Sequence, residues 1–154
     1  MKHYLTLLFL AATTIGMGQE KTPVKQHPID VQLQACLDSS ENYSTFGMVN
    51  CQGRAFDSWD REMNKYYKLL LPILSPDEKN KLIAAQKKWL AYRDSELLFS
   101  GTTYHNLDGT MWRVVAVIRQ VEIVKQRATE LSDYYETLKE NKSVPEKAKS
   151  GKAK

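Results

Sequence analysis

FDSWDREMNKYYKLLLPI, residues 56–73, decides the fold. Its apolar residues Phe56, Trp59, Met63, Tyr66, Leu70 and Ile73 are separated by steps of 3, 4, 3, 4 and 3, the alternation that holds side chains on one face of a helix with 3.6 residues per turn. VVAVIRQVEIVKQRATELSDYYETL, residues 114–138, carries the same pattern through Val114, Val117, Val121, Val124, Ala128, Leu131, Tyr135 and Leu138. Each stripe must be buried against another helix. No segment alternates apolar and polar residues convincingly enough for a strand. The pattern predicts an all-α fold, a small antiparallel bundle of about four helices.

Helix ends are written into the polar residues between the stripes. In Ser75-Pro76-Asp77-Glu78 a serine caps, a proline fits the first turn and a glutamate reaches back from the third position, so a helix starts there. Ser100-Gly101 and the polar run to Gly109 end its pattern, which predicts a stop near Phe99. Thr45 is placed to cap the preceding helix, and Pro72, lacking an amide donor, ends or kinks it. A shorter first helix is expected over Asp30 to about Ser39.

The chain of 154 residues, 42% hydrophobic and 26% charged, has the size and make-up of one globular domain. Its start reads as a signal peptide, residues 1–18. Lys2 and His3 precede an apolar stretch from Tyr4 to Ile15 that is too short for the roughly 20 residues of a membrane-spanning helix. No cysteine stands at the junction to take a lipid, and no second apolar run follows. Cleavage leaves a linker over 19–29, with Pro23 and Pro28, a folded domain over 30–138, and a Lys-rich tail over 139–154 that reads as disordered. The expected location is the periplasm or the exterior. In such an oxidising compartment Cys36 and Cys51 should pair as one disulfide, worth roughly 3 kcal/mol by loop closure.

The 22 basic and 18 acidic residues leave a net charge of +4. The tail alone accounts for +4 and Lys2 for +1, so residues 19–138 sum to −1. The tail has no aromatic residue on which a base could stack, and export removes the chain from cytoplasmic nucleic acid. No nucleic-acid partner is expected.

Chemistry-bearing motifs are sparse. His3, His27 and His105 are too scattered for metal-ligand spacing, and no nucleophile elbow, zinc-protease or phosphate-loop pattern occurs. Neither a metal nor a cofactor is expected. Asp57, Asp60 and Glu62 could in principle form an acid/base pair on a sugar, but surface helices carry such pairs routinely. The expectation is a protein that binds rather than catalyses.

WDREMNKYY (59–67) and AAQKKWLAYRD (84–94), with Thr45, Met48 and Cys51 upstream and Arg127 and Leu131 downstream, resemble the LprI-like lysozyme-inhibitor family of bacterial exported domains. The similarity covers about Cys36 to Leu131. It implies a small exported helical domain, related to at least one inhibitor of lysozyme, whose partner is a lysozyme-type cell-wall hydrolase or another envelope protein. Many members carry further cysteines near Leu97 and near Ile118 or Arg119, which this chain lacks. The other function class the sequence leaves open is an envelope structural or stress-related protein whose tail contacts anionic surfaces.

Within the motif, Asp60, Asn64 and Tyr67 share one helix face, and Gln86, Trp89 and Arg93 share another, with Tyr92 beside them. Antiparallel pairing of these helices would bring Arg93 to Asp60 as a polar clasp, with the Asn64 and Gln86 amides completing its hydrogen bonds. The loop SGTTYHNLDG, residues 100–109, offers Tyr104, His105, Asn106 and Asp108 at a helix-connecting tip, where binding residues concentrate. An inhibitor of a basic hydrolase gains from acidic charge or from a loop that plugs the cleft, and the nearly neutral body and positive tail give the first of these no support.

Overall fold

A computed structural model describes residues 26–143. The segment read as a signal peptide, the first part of the expected linker and the end of the expected tail lie outside the described residues. Within them the chain forms α1 (Pro28–Leu37), a 3₁₀ turn (Ser40–Asn42), α2 (Thr45–Leu70), α3 (Pro76–His105) and α4 (Met111–Ser143). The four-helix, all-α expectation holds.

Successive helices run antiparallel, which leaves α2 and α4 parallel to each other. Thr45 meets Thr110 through their hydroxyls at 3.1 Å, the Lys125 ammonium sits 5.4 Å from the centre of the Trp59 ring, and Tyr66 lies 5.9 Å from Tyr135. This parallel pair makes the core. Ala55, Trp59, Met63 and Leu70 from α2 interlock with Val121, Val124, Ala128 and Leu131 from α4, all nearly inaccessible to solvent. All of them except Ala55 belong to the two stripes read from the sequence. α3 adds Leu82 and Trp89 at the edge of that cluster, meeting α4 more closely than α2.

The Cys36–Cys51 disulfide forms as expected, with the two Cα atoms 5.8 Å apart, and ties α1 to the start of α2. Gly47 makes the close approach at this corner possible, since a Cβ there would lie 2.5 Å from the Asn42 backbone. At the far end of α1, His27 caps the helix by accepting from the Ile29 amide (3.3 Å) and lays its ring against Trp59 at 4.4 Å. Asp30 pairs there with Lys125 at 2.8 Å.

Several boundaries differ from the sequence reading. α1 starts at Pro28, inside the expected linker, because His27 and Pro28 together make a helix start. Ser44, not Thr45, caps α2. Its backbone is extended and its hydroxyl accepts from the Gly47 amide at 3.0 Å, leaving Thr45 as the first helical residue. The Ser75–Glu78 capping box is present in full.

The largest difference is at the end of α3, which runs through Ser100-Gly101 to His105. Ser100 turns its hydroxyl back onto the Glu96 carbonyl (2.7 Å) and stays buried against α4, so neither residue breaks the helix. The turn comes instead at Gly109, whose φ of +99° only glycine adopts readily. α4 starts at Met111 and continues to Ser143, so the first residues of the Lys-rich segment extend the last helix.

Candidate functional site

Two places gather the residues singled out by sequence: the polar contacts between α2, α3 and α4, and the end of the bundle where α3 turns into α4.

The first is two clusters rather than one clasp. Arg93 approaches Asp60 at 3.5 Å, but its closer partner is the adjacent Asp94, which accepts from Nε and Nη2 at 2.9 and 2.7 Å. Asn64 completes Asp60 from within α2, donating to its carboxylate at 2.9 Å and its carbonyl at 2.8 Å. Arg93 also lies over the Trp89 ring, 5.6 Å from its centre, a stacking for which the planar guanidinium is suited. Tyr67 packs half-buried against the core, whereas Tyr92 is exposed.

Gln86 does not serve this cluster. It is buried two helical turns before Arg93, where its carbonyl oxygen accepts from Arg127 Nε at 3.0 Å and its amide points to the Met63 sulfur at 3.6 Å. Arg127, itself buried, completes its charge with Glu130 at 3.0 Å. The reason is geometric: α3 lies nearest α4, so the inward amide of α3 finds the cation of α4 before the carboxylate of α2. A buried arginine with two acceptors is held tightly in register. Arg127 belongs to the recognised motif, but spacing along one chain does not reveal which helix it faces. Nearer the tip, Glu96 and Arg119 form an ion pair at 3.5 Å.

The other carboxylates considered for sugar chemistry are spread out. Glu62 binds Lys65 at 2.8 Å and faces His27 at 3.9 Å. Asp57 is exposed. Among the described residues no group of three His, Cys, Asp or Glu side chains is placed to hold a metal ion.

At the tip, Tyr104 and His105 belong to the last turn of α3, Asn106 caps it, and Asp108 lies in the short loop beyond. Tyr104 is half-buried and stacks parallel on Trp112 of α4 at 5.9 Å. His105, Asn106 and Asp108 are exposed. Sequence reasoning missed the apolar neighbours: Phe46 at 75% exposure, Leu107, Met111 and Trp112. Phe46 and Val49 flank a cleft of about 340 Å³ closed on its other side by Thr110, Arg113 and Val117. A signal was present in the chain. Residues 42–53 contain no charge, and residues 97–112 contain only Asp108. The Thr45–Thr110 contact brings the two segments together as one charge-poor end.

This architecture defines a small disulfide-stapled helical domain, braced internally by polar pairs and presenting apolar and aromatic side chains at one end. The chain belongs to the lysozyme inhibitor LprI family, whose model matches residues 36–131. Its structure is similar to the crystal structure of an uncharacterized protein from Burkholderia thailandensis, with a TM-score of 0.72 and 26% sequence identity over 76% of this chain. The chain spans 58% of that protein's length. No curated protein matches it significantly.

Proposed function

We propose that the protein is exported to the periplasm or the cell exterior and binds a lysozyme-type cell-wall hydrolase, inhibiting it by occupation rather than by chemistry. Membership of the lysozyme inhibitor family across residues 36–131 is the observation that carries this reading. The charge-poor end is the surface we assign to the contact. Interface cores are depleted of charge and enriched in aromatics, methionine and arginine, a description met by Phe46, Met111, Trp112 and Arg113. Tyr104 is held rigidly by its stack on Trp112, which lowers the entropy cost of presenting it to a partner. Arg113 and His105 are the groups at this end that can face the essential carboxylates of a glycosidase cleft.

Adding purified protein to lysozymes of different types while following lysis of wall preparations tests the reading. Slowed lysis is expected with at least one of them. Phe46→Ala/Trp112→Ala should relieve inhibition at least tenfold if these side chains are anchors. Undiminished lysis at large molar excess against every lysozyme type rejects the proposal. In that case the envelope reading, with residues 139–154 contacting anionic surfaces, predicts that a chain lacking them no longer sediments with envelopes.

A further inference from the structure

α3 is the least enclosed of the long helices. Of its thirty residues only Gln86 and Ser100 are buried. Leu82, Gln86, Trp89, Arg93 and Ser100 form its inward face, and a second apolar stripe lies about a quarter-turn round the helix. Ile83 is 43% and Leu98 73% exposed, Leu90 is half-buried between them, and the small Ala84 and Ala91 occur on the same side. Two charges interrupt the stripe, Lys87 and Asp94, both exposed. Among the described residues Lys87 makes no ion pair, and Arg93 engages Asp94 through Oδ1 alone, leaving Oδ2 for another donor.

The order of these residues is self-complementary. About a two-fold axis between Leu90 and Ala91, an antiparallel pair of α3 helices sets Ile83 opposite the second copy's Leu98, Lys87 opposite its Asp94 and Leu90 opposite its Ala91. Two-fold symmetry repeats every such contact, so one register supplies two ion pairs and four apolar pairs. Parallel helices in register would oppose Lys87 to Lys87 and Asp94 to Asp94 instead. Alanine beside leucine at the crossing lets the backbones approach closely.

We infer that the outer stripe of α3 is the interface of a homodimer, built from two antiparallel α3 helices with Lys87 of each copy paired to Asp94 of the other. The stripe from Ile83 to Leu98 is about 22 Å long at 1.5 Å per residue. That is a small interface, below the roughly 1,200 Å² of standard complexes, and its association is concentration-dependent. The charge-poor end used in the hydrolase reading is not required for it.

Sedimentation equilibrium of the oxidised protein over a concentration series tests the inference. A monomer–dimer equilibrium is expected. Lys87→Glu places like charges opposite each other twice and should weaken association about tenfold, while Lys87→Glu/Asp94→Lys restores opposite charges and recovers most of it. Leu98→Asp, at an exposed position where the fold is not at stake, should leave helix content by circular dichroism unchanged and abolish the dimer. A monomer at every concentration, a dimer insensitive to Leu98→Asp, or a double variant as weak as Lys87→Glu overturns the inference.

Discussion

The α2–α4 seam and α3 are built from helices of similar length with opposite roles. In the seam, eight apolar side chains close on one another and solvent is excluded. In α3 both buried residues, Gln86 and Ser100, are polar, and Ile83, Tyr92, Leu98 and Phe99 face outward. The difference teaches where stability ends and recognition begins. Two parallel helices clipped by α1 form the core, so the third long helix can lie on them by one edge and keep its other faces for partners.

The sharpest way to break this contrast is to cut the seam. Leu131 is fully enclosed, and Leu131→Ala should cost about 3–5 kcal/mol through lost burial and the cavity left behind. Ile83→Ala on the outer stripe should stay within about 0.5 kcal/mol for the monomer, as exposed positions do. Urea unfolding of both variants at low protein concentration measures the difference, and equal losses would mean that α3 is part of the core after all. Cys36→Ala/Cys51→Ala comes next. Opening a loop with a sequence separation of 15 should lower stability by about 3 kcal/mol in the loop-entropy view, visible as a lower unfolding midpoint.

The polar contacts sharpen the comparison at intermediate cost. Gln86→Leu strands Arg127 Nε in a buried setting and should destabilise by about 2 kcal/mol. Asp60→Asn touches a half-exposed pair at 3.5 Å and should cost less than about 1 kcal/mol. If Asp60→Asn proves the more damaging, the α2–α3 contact and not the α3–α4 contact sets the register of the third helix.

The seam was legible because burial on one face imposes a period, and Trp59, Met63, Val121 and Leu131 repeat at that period. The disulfide was legible from two cysteines and the expectation of an oxidising compartment. The end of α3 was not. Ser100 and Gly101 are helix-weakening by propensity, and only the packing of Ser100 against α4 and its hydrogen bond to Glu96 carry the helix past them. The partner of Gln86 was hidden for a related reason: one helix face specifies which residues share it, not which neighbour it meets. The tip was half legible. The sequence places Tyr104 and His105 in a polar connecting segment, whereas Phe46 and Trp112 join them only once α2 and α4 lie parallel.

The smallest effect is electrostatic and lies on α2 itself. The Lys65 ammonium donates to the Glu62 carboxylate at 2.8 Å, and this hydrogen bond, reinforced by the carboxylate charge, raises its pKa above the ordinary 10.5 despite a weaker opposing effect of burial. A lysine with a raised folded-state pKa contributes stability that is complete below its unfolded value and disappears as pH rises through the folded one. The side chain is more than half exposed, so water and salt screen the contribution heavily. Thermal unfolding of the parent and of Glu62→Gln should therefore differ slightly at pH values well below 10.5 and converge well above it. A difference that persists unchanged into strong alkali would assign the role of Glu62 to its contact with His27 at the start of α1, and would place that capping residue among the elements that hold the first helix to the seam.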